Sequence, residues 1–428
     1  MKNPQELARR AAIACLLALP FFLFYGRAIA DSLIVLIDVA FIAVSWRTRD
    51  FAWARQGWVV VAGVIWAVQL VSSVIHGPWH SVAEALVMVR FFLLVAALQC
   101  WVLIGPRARQ ALWFVFVFLA GWTVLQVWQQ YLTGTNVNGF ARWPDGSLTG
   151  PFYKPRAGEI LLLVALPGLL PGVLMGLRSN VRLRRIAAVA LLVITVATMI
   201  LIGQRMPNLL LLLGLLLTAC IERRFRLPLL GALCAAGLAV AALPIISPPT
   251  WNKLVLHFIA QMSHFAASPY GELYTRAAVM IQAHPLLGIG FEGFKDFCGN
   301  PSYFHGLPAL GLPDAINGGL QGCNLHPHNF YLQVGTMGGL PALLLFTVLL
   351  GLWATQLLRA NLLRCGPVPK MLAVTAAVIF WPLASTSSLF TPDTGGWVFL
   401  IMGWALAYAE SKRVPHAAGA RPVSALEG

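Results

Sequence analysis

Residues 157–226 read AGEILLLVALPGLLPGVLMGLRSNVRLRRIAAVALLVITVATMILIGQRMPNLLLLLGLLLTACIERRFR. Three apolar runs, 158–177, 186–203 and 207–221, are separated by two polar breaks of very different character. The first break carries Arg178, Arg182, Arg184 and Arg185, and the stretch after the third run carries Arg223, Arg224 and Arg226. The middle break has a single cation, Arg205. A run of about 20 apolar residues is long enough to cross a bilayer. Arginine gathered at alternate breaks is the signature of a chain threaded back and forth through a membrane.

The pattern extends outward over the whole chain. Of 428 residues 59% are hydrophobic and 11% charged, against about 25% charged in soluble domains. Apolar runs and their breakers give twelve expected spans: 11–25, 30–46, 57–75, 84–104, 109–132, 158–177, 186–203, 207–221, 228–246, 329–357, 369–386 and 394–410. Several are short enough to be tilted, re-entrant or merged. With the N-terminus inside and one crossing per span, 21 of the 30 Lys and Arg residues fall in inner turns. Eight fall outside: Arg27, Arg142, Lys154, Arg156, Arg205, Lys253, Arg276 and Lys295. The net charge of +15 is therefore a topology signal, and no nucleic-acid partner is expected.

The expected architecture is an all-α polytopic membrane protein of about 12 transmembrane helices. Residues 1–246 supply nine spans and an outer loop at 133–157. Residues 247–328 form a large periplasmic segment containing short helices. Residues 329–410 supply three more spans, and 411–428 form a cytoplasmic tail. The first 30 residues also resemble a secretory signal, with Ala28-Ile29-Ala30 as a mimic of a cleavage site; we read them as an uncleaved first helix. In the large segment, Leu254, Phe258, Met262 and Phe265 recur at helical spacing against Lys253, His257, Gln261 and His264, which predicts a helix lying in the membrane interface. A second helix is predicted over 272–284, with Glu272 and Arg276 spaced as an i,i+4 pair before Pro285. The halves differ in loop lengths, unlike the repeats of many transporters.

The chemistry is expected among the outer cations. Arg205, in Gly203-Gln204-Arg205, sits in a very short turn on the face that ordinarily excludes arginine. Holding it there requires a carboxylate, a lipid headgroup or a bound anion. Outer carboxylates are few beside Arg142, Lys154, Arg156, Arg205 and Arg276, and guanidinium suits phosphate oxygens. Each cation also has a plainer explanation. Arg205 can cap a helix, Arg276 can pair with Glu272, and Lys154, Arg156 and Arg142 can be solvated. Where the large segment re-enters the membrane stand His326, His328 and Asn329. An imidazole at a wet boundary can act as a general base near neutral pH, or merely cap the helix. Two His residues are too few for a zinc site. No phosphate-binding Gly-Lys-Ser/Thr loop and no nucleophile elbow occurs. Cations beside a base suggest an electrophile with a phosphate or pyrophosphate leaving group and a hydroxyl acceptor, the donor carried on a lipid. Cys298 and Cys323 share the same polar outer segment and can form a disulfide.

Three local matches then carry a family resemblance over most of the chain. They are Gly203-Gln204-Arg205 at the start of a span, Tyr274-Thr275-Arg276 continuing to the His284-Pro285 to Gly290 stretch, and His328-Asn329 followed by Gly338 and Gly339. The chain resembles the O-antigen ligase and polymerase superfamily of bacterial envelope glycosyltransferases. The resemblance implies an undecaprenyl-pyrophosphate glycan as donor, lipid A–core oligosaccharide as acceptor, and membrane lipids as further partners, with neither cofactor nor metal. It implies Arg205, Arg276 and His328 as catalytic residues. Gln204, Arg156, Lys154, Arg142, Tyr274, His326 and Asn329 would contact substrate, with Glu272 as a structural partner. Thr336-Met337-Gly338 lacks the acid that many relatives carry there, which loosens the tie to polymerases. The alternatives are an O-antigen polymerase, a protein O-oligosaccharyltransferase and, from another class, a lipid or glycan transporter.

Overall fold

The computed structural model describes residues 4–312, 314, 322–360 and 362–413. Tail residues 414–428, with Arg421, lie outside the described residues. The described residues are mainly helical, without a named strand. In chain order the helices are α1 Pro4–Tyr25, α2 Arg27–Thr48, α3 Gly57–His76, α4 Trp79–Val102, α5 Pro106–Thr133, α6 Ala157–Arg178, α7 Arg182–Ile202, α8 Arg205–Ile221 and α9 Arg226–Ile246. Then come α10 over 248–263, α11 Pro269–Ala283, the short α12 Gly293–Phe297, α13 Phe330–Arg359, α14 Pro367–Ile379 and α15 Pro392–Arg413.

Among the described residues nine helices are long and apolar enough to cross a membrane: α1 to α7, α9 with the turn before it, and α13. Helices α8 and α14 are apolar but shorter, at 17 and 13 residues. Each of the twelve expected spans overlaps a helix, yet one differs in a way that matters. The expected span 369–386 is helical only to Ile379, and residues 380–391 run as turns and extended chain before α15 begins at Pro392. Pro382 and the polar run Ser385-Thr386-Ser387-Ser388 explain the stop: proline withholds a donor, and hydroxyl side chains compete for backbone partners.

Local chemistry sets the other boundaries. Pro106 opens α5 and Gly134 closes it at φ 85°, a conformation that glycine adopts without cost. Gly203 closes α7 in the same way at φ 77°. Helices α4 and α6 form the centre of the bundle, with 72% and 78% of their most apolar windows buried, whereas α9 and the turn before it bury 17% and sit at the rim. Helix α6 packs against α5, α7 and α14, and α3 packs along α13.

Contacts between distant residues define two ends. At one, Arg156 pairs with Asp393 at 2.7 Å and Trp122 Nε1 donates to the Tyr25 hydroxyl at 2.6 Å. At the other, Arg9 Nε donates to the Trp101 carbonyl at 3.1 Å, Gln99 Nε2 donates to Glu410 at 3.1 Å, and Lys370 pairs with Glu222 at 2.9 Å. The loop 133–157, the described residues of 247–329 and the break at 380–391 belong to the first end. The arginine-rich turns belong to the second.

Helix α13 is itself interrupted, at Gly338 and Gly339, the latter at φ 71°. The turn at 285–290 slots into the gap. Ile289 N donates to Thr336 O at 2.9 Å, Gly290 N to Met337 O at 3.2 Å, and Leu340 N to Pro285 O at 2.8 Å. Ser72 and Ser73 of α3 anchor the same stretch through Gly290 N and Phe291 N, both at 2.9 Å. A Cβ on Gly288, at φ 64°, would stand 2.5 Å from Thr336 O. The glycines of this sequence pattern thus let two backbones touch.

The interfacial helix predicted over 253–265 is α10, with a π turn at 252–256. Its faces are not those the spacing suggested. Lys253, Leu254, Phe258 and Gln261 turn partly inward, while Leu256, Ile259, Met262 and Phe265 are exposed. The predicted 272–284 helix is α11, opened three residues earlier by Ser268, whose hydroxyl accepts from Gly271 N at 3.2 Å.

Candidate active site at the broken end of the bundle

His328 occupies the left-handed region at φ 52°, uncommon for a residue with a side chain. Two backbone contacts to Thr386 hold it. Thr386 N donates to the His328 carbonyl at 2.8 Å, and Nδ1 of the ring meets the Thr386 carbonyl at 3.1 Å. A carbonyl can only accept, so the proton resides on Nδ1 and Nε2 carries the lone pair. Asn324 Nδ2 lies 3.4 Å from that nitrogen. Burial pushes the imidazole below the usual histidine range, offset in part by the hydrogen bond to Thr386. His328 is thus a neutral base with a defined tautomer at neutral pH.

His326 and His328 face the same way, their ring centroids 4.3 Å apart. Burial, followed by the neighbouring His328, pushes His326 down to about 4. Its Nε2 is buried with no hydrogen-bond partner among the described residues. Asn329 was expected in the first turn of the next helix; it is instead the N-cap of α13. Its Oδ1 accepts from Tyr331 N and Leu332 N at 3.0 and 3.2 Å, and its Nδ2 donates to the carbonyls of Pro382 and Ala384 at 2.8 and 3.2 Å. With both ends of the amide engaged, Asn329 fastens α13 to the break at 380–391.

The same break supplies one polar side chain after another to its neighbours. Ser385 bonds the hydroxyl of Tyr274. Ser387 Oγ donates to Glu159 at 3.4 Å and Ser388 Oγ accepts from Gln333 Nε2 at 2.7 Å. Gln333 also accepts from Leu389 N at 2.9 Å. Glu159 opens α6 beside Arg156, and Arg156 shares Asp393 with Arg27. Arg27, Arg156, Glu159 and Asp393 form an alternating charge chain along the rim of the break.

Arg205 begins α8 and reaches α10, donating through Nη1 to the His257 carbonyl at 3.3 Å and to Gln261. Tyr270 of α11 lies within electrostatic reach of Arg205, and its ring meets that of His328 with centroids 5.8 Å apart. Gln204, expected to contact substrate, is engaged within the chain. It accepts from Gly158 N at 2.9 Å and donates to the Pro155 carbonyl, pinning the start of α6 to the 203–205 turn.

The other expected residues spread around this centre. Arg142 donates to Gly146 O and Ser247 Oγ, both at 3.0 Å, and to Thr250 Oγ1 at 3.3 Å, tying loop 133–157 to the start of α10. Lys253 adds an ion pair to Asp145. Lys154 is exposed. Arg276 is turned into a satellite core, 2% exposed. It donates to the Cys298 carbonyl and lies over the Phe304 ring, 4.1 Å from its centroid. Glu272 attracts it through space, while Oε2 of Glu272 has no hydrogen-bond partner among the described residues. Cys298 and Cys323 are joined in a disulfide, with Cα atoms 5.1 Å apart. Among the described residues no group of three His, Cys, Asp or Glu side chains is arranged to hold a metal.

Tyr270, Glu159, Asp393 and the 385–388 run are functional candidates that sequence reasoning missed. The signal for the last was present: five hydroxyl residues between Pro382 and Pro392 fit poorly in a lipid-facing helix.

Residues 188–347, from α7 to the middle of α13, match a family model described as O-antigen ligase. No curated protein matches the chain. The matched interval contains Arg205, Tyr270, Arg276 and His328 together with the clasp between 285–290 and the α13 break. Over that interval the chain is similar to the O-antigen ligase superfamily.

Proposed function

We propose that this protein transfers O-antigen polysaccharide from undecaprenyl pyrophosphate to lipid A–core oligosaccharide. The reaction takes place at the periplasmic face of the bacterial inner membrane, with both termini cytoplasmic. The observation that carries the reading is the His328 tautomer: Nδ1–H bound to the Thr386 carbonyl, leaving Nε2 basic, with the ring packed against Tyr270.

His328 Nε2 takes the proton of the acceptor hydroxyl as that oxygen bonds to the anomeric carbon. The carbon–oxygen bond to the pyrophosphate breaks, and the leaving group departs with the electron pair. In-line attack inverts the anomeric configuration. Arg205 neutralises the charge gathering on the diphosphate, and its present partners, a carbonyl and the Gln261 amide, are neutral groups that an anion can replace. Tyr270 and Tyr274 offer hydroxyls and aromatic faces to the glycan. Arg276 acts as a positioning residue, holding α11 and thus Tyr270 and Tyr274 through the disulfide lobe.

Two assays test this. A deletion strain should accumulate long lipid-linked glycan and carry bare core. Core bearing a single repeat would identify a polymerase instead. Purified chain should move glycan from lipid donor to core in detergent without a gradient, and a need for a gradient would point to a transporter.

A further inference from the structure

At the end of the bundle far from His328 lies a second polar feature. A cavity of about 1420 Å³ opens between the start of α1, the ends of α2 and α4, the starts of α5 and α14, and the end of α15. Ligand pockets of drug-sized molecules run to about 1,000 Å³, so this one accommodates more than a small metabolite. Its walls include Phe41, Trp53 and Trp101. Aromatic side chains of this kind gather where a bilayer meets water.

Its polar groups are of mixed sign. Arg109, 8% exposed, lines the cavity in the first turns of α5. It donates through Nη1 to the Ala407 carbonyl at 3.1 Å and lies over Tyr408, while its Nε has no hydrogen-bond partner among the described residues. The N-cap of α5, Gly105, supplies no side-chain cap. A Cβ on Gly105 would come within 3.3 Å of Arg9 Nη2. Two guanidiniums thus flank the uncapped N-terminus of a 28-residue helix, an arrangement that favours a phosphate. Glu410 and Asp50 line the same cavity. Each is engaged through one oxygen, Glu410 by Gln99 at 3.1 Å and Asp50 by Ala52 N at 3.1 Å. Their remaining oxygens can accept from an ammonium. Glu6 is committed to Arg9 and Arg10.

From these features we propose that the cavity binds a zwitterionic phospholipid with a primary amine, phosphatidylethanolamine in type. The phosphate sits between Arg109, Arg9 and the α5 N-terminus. The ammonium faces Glu410 and Asp50, and the glycerol and upper acyl chains lie along the aromatic wall. A polyanion gains nothing from the carboxylates. A free phosphate gains nothing from the aromatic surface. The site is independent of the transfer chemistry at the other end.

The full chain, purified in detergent, is examined by native mass spectrometry with added phosphatidylethanolamine, phosphatidylglycerol, glycerophosphoethanolamine and inorganic phosphate in separate titrations. The expected result is retention of phosphatidylethanolamine in preference to phosphatidylglycerol, with the two soluble probes bound at least tenfold more weakly. Arg109→Gln should lower phosphatidylethanolamine affinity about tenfold, the worth of a hydrogen bond to a charged group. Glu410→Gln should erase the preference over phosphatidylglycerol. Equal binding of the two lipids by the wild type, wild-type affinity in Arg109→Gln, or full occupancy by either soluble probe would overturn the proposal. Because Arg109 also ties α5 to α15, tryptophan-fluorescence melting accompanies each variant. If Arg109→Gln does not fold, Arg9→Gln and Glu410→Gln decide, and wild-type binding in both overturns it.

Discussion

Reducing the Cys298–Cys323 disulfide should loosen one lobe of the protein and leave the bundle standing. The bridge closes a loop with a sequence separation of 25 residues. In the chain-entropy account a loop of that size contributes about 3.5 kcal/mol. The lobe has little else to replace it. Its apolar core consists of Leu273, Ala277, Met280, Ile289, Phe294 and Cys298, separate from the main core of the bundle. The contribution is therefore felt as local opening of α11.

Hydrogen exchange with mass spectrometry reads this directly. On reduction, or in the Cys298→Ser/Cys323→Ser double variant, amides of 272–283 should lose roughly 300-fold in protection, since about 1.4 kcal/mol is a factor of ten. Amides of α4 and α6 should not change. Transfer activity should fall as well, because α11 carries Tyr270 and Tyr274. A change below about threefold in α11 protection would refute the idea that the bridge holds the lobe. A uniform loss across α4 and α6 would refute its locality.

Further outcomes follow from the site and its supports. His328→Gln should lower turnover by roughly 10²–10⁴-fold, the usual contribution of a positioned base, with unchanged membrane insertion; single-turnover transfer assays check it. Because burial lowers the His328 pKa, the acid limb of the pH–rate profile should lie below the ordinary histidine value of about 6.5. His326, held at about 4, is neutral in the fold where the unfolded chain would bind a proton. Its contribution to stability is present above pH 6.5 and lost as pH falls towards 4, by about 3 kcal/mol at most, measurable by melting across that window. Arg205→Lys should raise donor KM at least tenfold because a point charge lacks the two-pronged fork; titration with synthetic lipid pyrophosphate reads it. Gly288→Ala should cost about 1–3 kcal/mol, seen as lower melting temperature, since the new Cβ meets Thr336 O in a left-handed conformation.

Much of the helix count was legible in the sequence because lipid imposes a coarse rule: long apolar runs and arginine at alternate turns. Positions 157–226 obey it closely, and α6, α7 and α8 begin and end within a few residues of the expected runs. The outer segment was legible in part. Helix α11 showed its period, and the glycine-rich stretch after Pro285 was visible as a pattern. What it does, entering the Gly338–Gly339 gap, was not visible, since that contact depends on a backbone 50 residues away. Side-chain duties were the least legible. Arg276 and Lys154 read alike as outer cations, yet one is buried on Phe304 and the other is exposed. Composition records that a charge is present, but only packing decides which way it turns.

The same limit explains why the 380–391 break matters more to the proposed chemistry than its sequence suggested. In a continuous helix the carbonyl of residue 386 would accept from the amide four residues on and could serve no side chain. By stopping at Ile379, α14 frees the carbonyls of Pro382, Ala384 and Thr386, and α13 uses all three through Asn329 and His328. Backbone carbonyls freed from a helix need other partners where they are shielded from water. Here the partners are an amide that caps α13 and an imidazole whose tautomer is thereby set. The left-handed turn at His328 has the same origin: the ring can meet Thr386 O while Thr386 N returns to the His328 carbonyl only if the chain reverses at that residue. Breaking one helix and starting another at its broken end orients a base without enlisting a second charged residue, which leaves Glu159 and Asp393 to balance Arg156 and Arg27 along the rim.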